Sequence, residues 1–242
     1  VTVAAGYFNG LTTADGALDL GANTDLLGGE RNVAALAVIG TVGPVNASLW
    51  YAQLDSAATY DTVETGADAL SLNLSANVGP VNIDFTHSEA EIDDAAAGTN
   101  FEKETLTKLI VSGKVDIVTL TGAYAFTNDN DNNSAGEDTR RVGVDLTHDN
   151  DAKTNFRLDI LNLDAYNDAQ AFLIGASATF GKTTIGASYL DVTVDNETGA
   201  DTDANELDLT VAYAMSKNFS ITGLYSTAEV DTAGVKSVDE RS

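Results

Sequence analysis

Eight charged residues stand inside stretches where apolar and polar residues alternate: Asp84, Lys108, Lys114, Arg141, Asp145, Arg157, Asp159 and Asp208. Each falls on the polar side of its alternation; Ile83 and Phe85 bracket Asp84, and Leu207 and Leu209 bracket Asp208. A strand turns successive side chains to opposite faces, so these charges point away from the apolar residues beside them. Charges fixed along a wall in this way act on ions and polar solutes by field and not by bond-making. Asp145 and Arg157 are equidistant from a turn centred on Asp151, so they should face one another across an antiparallel pair. Arg157 and Asp159 share a face. The plainer alternative is that such pairs only neutralise each other on a solvated wall.

A second candidate is the oxygen-rich stretch DNDNNSAGED, residues 129–138. Asp129, Asp131 and Asn133 have the first spacings of a calcium loop, and Glu137 adds a carboxylate. Ser134 stands where that loop needs glycine and Arg140 where it needs a bidentate glutamate, so this is no EF-hand. The stretch could take Ca2+ weakly or be a solvated loop. No other cofactor is indicated. Catalytic machinery is absent too: His87 and His148 are isolated, and neither a G-x-S-x-G elbow nor a phosphate-binding glycine motif occurs. With no cysteine there is no disulfide, thiolate site or thiol nucleophile. An enzyme is not expected.

These residues must be held by strands. The hairpin strings TVGPVN at 41–46 and NVGPVN at 77–82 sit between alternating runs. Further short turns near Asp116, Asp151, Lys182 and Asn218 recur with a period of about 36 residues, one hairpin plus one long loop. Strands are predicted at 1–10, 31–42, 45–55, 67–78, 81–92, 105–115, 117–128, 139–149, 153–164, 171–181, 183–194, 205–216 and 219–230. The long loops are acidic, with Asp15, Asp61, Asp93, Asp129 and Asp195 among their residues.

Twelve basic against 37 acidic residues give a net charge of −25, which repels nucleic acid and favours cations. No apolar run nears the roughly 20 residues of a membrane helix; the longest is VAALAVI, 33–39. A barrel needs only alternation. Its polar face here is rich in Ser, Thr, Asn, Ala and Gly rather than the Lys and Glu of a solvated sheet. Aromatics gather toward strand ends: Tyr7, Tyr51, Tyr124, Phe126, Tyr189 and Tyr225 near the loops, Phe180, Tyr213 and Phe219 near the turns. Two such belts fit the two interfaces of a membrane. The fold expected is therefore all-β, an antiparallel transmembrane β-barrel in an up-and-down meander. Thirteen strands lie in this chain, within an even-stranded barrel of roughly 16–20. Residues 1–242 are expected to be a partial single barrel domain, without its N-terminal strands and final C-terminal strand. The apolar faces would meet outer-membrane lipid and lipopolysaccharide.

The strings VTVAAGYFNG, NASLWYAQLD, GKVDIVTLTGAYAFTND and ELDLTVAYAMSKNFSITGLYS, in that order, resemble the major outer membrane porins of the Campylobacter group. The resemblance covers most of the chain, with 139–164 matching poorly. It implies a large barrel, a homotrimer, in the bacterial outer membrane, passing small hydrophilic solutes and preferring cations. It also implies that the loop narrowing the pore lies before Val1. The expectation is a water-filled channel for passive diffusion. The rivals are a substrate-selective channel and a structural or adhesive surface barrel.

Overall fold

The computed structural model describes residues 1–12, 30–56, 65–94, 104–127, 168–195 and 200–241. Twelve strands follow in chain order: β1 (Thr2–Thr12), β2 (Glu30–Val42), β3 (Val45–Ser56), β4 (Thr65–Val78), β5 (Val81–Asp94), β6 (Glu104–Val115), β7 (Val118–Thr127), β8 (Ala169–Phe180), β9 (Thr183–Val194), β10 (Thr202–Ser216), β11 (Phe219–Thr232) and β12 (Val235–Arg241). They form one sheet in the order β1 to β12, a pure meander. No helix occurs among the described residues.

The short turns explain the repeated strings. Gly43 and Gly79 adopt φ of 59° and 62°, and each is followed by a proline. A left-handed residue followed by one locked near −65° has the sign pattern of a II′ turn, whose twist matches the flanking strands. The polar residues of the strings clasp the turns from outside. Thr41 Oγ1 bonds Asn46 Oδ1 at 2.8 Å, and Asn82 Nδ2 donates to Asn77 Oδ1 at 2.9 Å.

The chain divides into two compact units, one of Val1–Ser75, Phe85–Thr107 and Thr127–Lys153, the other of Ala76–Asp84, Lys108–Phe126 and Thr154–Ser242. In the first, β1 pairs with β2 and β2 with β3, in a register that aligns Ala4, Ala37 and Trp50 on one face. That face buries Val33, Ala37 and Ala52, while Val3, Tyr7, Leu36, Val38, Leu49 and Tyr51 on the other face are exposed. In the second unit β7 to β12 pair in sequence. Its covered face carries Ala123, Ala171, Leu190, Val192, Ala204 and Ala228, together with Glu206, Asp208 and Ser226. The opposite face leaves Phe172, Ile174, Leu209, Val211, Tyr213 and Met215 bare. Toward the turns the covered face becomes hydroxylic, with Ser177, Gly186 and Thr210 in one cross-strand row.

The strands predicted at 139–149 and 153–164 lie outside the described residues. β7 pairs directly with β8, from Val118↔Ala178 to Phe126↔Gln170. One element differs from expectation. Residues 235–241, beyond the last strand predicted from sequence at 219–230, form β12. Ala233 and Gly234, at φ of 57° and 79°, make the tight turn that returns the chain onto β11. Lys236 then bonds Glu229 and lies 4.0 Å from Asp231, so charge pairing across the strands replaces apolar alternation.

Candidate functional site

The site with the most chemistry is the covered face of the second unit. β10 places Glu206 and Asp208 on it because Leu207, Leu209 and Val211 take the other face. Glu206 is fully buried, and Asp208 is 8% exposed. Register gives Asp208 a serine on each side: Ser188 of β9 and Ser226 of β11. Glu206 lies between Leu190 and Ala228. Beyond Ser226 in the Asp208 row comes Arg241, whose guanidinium is 3.6 Å from Asp239.

Two glycines shape the wall beside the serines. A Cβ on Gly186 would lie 2.7 Å from Thr210 Oγ1, and one on Gly175 would lie 3.2 Å from Ser188 Oγ. Both hydroxyls therefore lean over backbone that has no side chain in their way. In the first unit, the covered face holds a buried hydroxyl pair, Ser71 and Ser88, at 2.9 Å. Thr86 donates to Asn73 at 3.0 Å, and the Asn73 amide reaches Ser71 at 3.4 Å.

Of the charged residues singled out from sequence, Lys108 and Asp208 are buried, Asp84 is half-buried on the same face of β5 as Thr86 and Ser88, and Lys114 is exposed. Arg141, Asp145, Arg157 and Asp159 lie outside the described residues, as do Asp129, Asp131, Asn133 and Glu137. The structure thus describes neither the Asp145–Arg157 apposition nor the calcium candidate. Among the described residues no group of three or more His, Cys, Asp or Glu could hold a metal ion. Glu206 escaped the sequence reading, although its parity with Asp208 was the signal for it.

The aromatics are arranged by height along the strands. Four loop-side tyrosines each bond a polar neighbour: Tyr51 to Asp68 at 2.8 Å, Tyr124 to Gln170 at 3.0 Å, Tyr189 to Asp191 at 3.2 Å and Tyr225 to Glu240 at 3.5 Å. Tyr124 also packs against Phe126 with ring centroids 6.0 Å apart. Tyr7 is exposed near the same edge. Phe180, Tyr213 and Phe219 are exposed near the turns. An amphipathic ring with a hydrogen-bonded hydroxyl suits a membrane–water boundary.

The fold is found in solved outer-membrane channels. The chain is similar to a BenF-like porin from Pseudomonas fluorescens, with a TM-score of 0.57 and 14% identity over 88% of this chain and 53% of that one. It is similar to OccK9 (OpdG) of Pseudomonas aeruginosa, with a TM-score of 0.57 and 14% identity over 98% of this chain and 60% of that one. OpdK of Pseudomonas aeruginosa, solved with vanillate, gives a TM-score of 0.52 and 11% identity over 84% of this chain and 52% of that one. The chain therefore spans about half the length of the first solved relatives it matches. No protein of curated function matches it. The model of the Gram-negative porins matches residues 1–233. With bare apolar residues on one face and covered polar ones on the other, the chain belongs to the Gram-negative porin family of the outer membrane, a family of channels and not of enzymes.

Proposed function

We propose that this chain forms the greater part of a water-filled outer-membrane channel for passive diffusion of ions and small hydrophilic solutes, with a preference for cations. The observation that carries the reading is the inversion of the two faces. Val211, Tyr213 and Met215 are 52%, 46% and 49% exposed, while Glu206 and Asp208 on the same strand are buried. Water would penalise such an apolar face and lipid accepts it. A net charge of −25 supports cation preference by raising the local cation concentration at the mouth. The order of similar strings supports a place among the Campylobacter-group porins, and with it a homotrimer in lipid and lipopolysaccharide. Weak Ca2+ binding by residues 129–138 belongs to the same proposal.

Single-channel recording of the detergent-extracted protein in a planar bilayer under a KCl gradient tests this. Large stable steps with a reversal potential on the cation side are expected. Small or absent steps would overturn the general-diffusion reading. A second reading, a substrate-selective channel, draws support from the neighbour solved with vanillate. It predicts saturable flux of one solute class where the first predicts flux proportional to concentration.

A further inference from the structure

Asp208 and Ser226 are directly paired across β10 and β11, with their side chains on the same covered face. Asp208 is 8% exposed and Ser226 fully buried, yet neither Asp208 Oδ1 nor Ser226 Oγ finds a hydrogen-bond partner among the described residues. Directly opposed residues bring their Cβ atoms to about 4.5–5.5 Å, so the two oxygens bound one small space. Ser188 pairs with the other flank of Asp208, with its hydroxyl turned away toward β8. Its hydroxyl leans over Gly175, where no side chain competes for the room. A buried carboxylate oxygen left without a partner is strongly unfavourable, and so is a buried hydroxyl. Two such atoms in register, one of them anionic, ask for the same thing: a compact positive group that accepts oxygen donors.

We infer that Asp208 and Ser226 form a binding station for a monovalent alkali cation, Na+ or K+, set into the covered wall of the channel. The donors are all hard oxygens, the class that such cations take. One carboxylate balances one charge, and among the described residues no group of three or more acidic or imidazole side chains is placed to satisfy a divalent ion. The Ser226 hydroxyl replaces part of the hydration shell, and retained water supplies the rest. Binding does not need an open channel, but its role as a relay for permeating cations rests on the proposed function. The station would hold the cation weakly enough to release it, as conduction requires.

The test separates these two parts. The full detergent-extracted chain is melted in NaCl, in KCl and in N-methyl-D-glucamine chloride at one ionic strength. The wild type should melt about 2–4 °C higher in the alkali salts. Asp208→Asn should abolish that difference, and Ser226→Ala should reduce it. The ratio of the NaCl to the KCl shift identifies which ion the space fits. An equal melting temperature in all three salts would overturn the station. So would an undiminished alkali shift in Asp208→Asn. A larger shift in CaCl2 than in either alkali salt, lost in Asp208→Asn, would overturn the monovalent assignment. Conductance is recorded on the same variants. If the protein conducts, Asp208→Asn should lower conductance about twofold or more in dilute KCl and little at molar KCl, where screening dominates. If nothing conducts but the alkali shift is present and depends on Asp208, the station stands and the channel reading fails.

Discussion

A single methyl-sized change probes the covered wall. Gly186→Ala places a Cβ 2.7 Å from Thr210 Oγ1. Thr210 must leave its rotamer, at about 0.5–1.5 kcal/mol. The expected loss of stability should largely vanish in the Gly186→Ala, Thr210→Ala double variant, a coupling that urea titration in lipid vesicles can measure. Charge placed on the bare face should do more. Val211→Arg should destabilise by about 2–4 kcal/mol if it lies near mid-bilayer, whereas Thr222→Arg, of the opposite parity, should cost far less. Equal losses would mean that the two faces had been assigned wrongly. Parity was legible in the sequence, and so was Asp208, because apolar neighbours on both sides of a charge announce its face. The Asp208–Ser226 pairing was not. The ladder slips by one residue between Ala214 and Ser216. Counting straight back from Ser216↔Phe219 would set Asp208 against Thr227, on the wrong face. A bulge is a tertiary choice that no local pattern announces.

At the scale of elements, strand lengths were underestimated from sequence. The predicted strand at 205–216 begins at Thr202 in the structure, because Thr202 to Ala204 are paired on both sides, with Val192 to Val194 and with Val230 to Thr232. Asp and Asn near a strand end read as loop until a neighbour supplies the hydrogen bonds. Glu206, near the start of the predicted strand, therefore sits well inside β10. β12 is the extreme case. VKSVDER has no apolar stripe, and its strand exists because β11 offers an edge and Lys236 two carboxylates. The glycine–proline turns were, by contrast, plain in the sequence. Gly43→Ala and Gly79→Ala each force a side chain into the left-handed region, at a cost of about 1–2 kcal/mol. Either variant should refold more slowly into lipid vesicles, followed by circular dichroism, and the two effects should add because the turns lie apart in the chain.

For the whole molecule, the division of labour between its two faces was the most legible feature, since a period of two survives any error in strand ends. What sequence could not supply was the grading of the covered face. Leu173, Leu190, Val192 and Val194 occupy its loop-side half, and Ser177, Ser188 and Thr210 the half nearer the turns. Trp50 bears on this division in another way. It is the sole tryptophan of the chain, and its parity is that of Ala37 and Ala52 on the covered face and not that of Leu49 and Tyr51. The protein thus carries its own optical gauge of topology. Its emission should be dimmed by acrylamide dissolved in the buffer and spared by bromine atoms on lipid tails, so that one cuvette reports which side of the wall is wet.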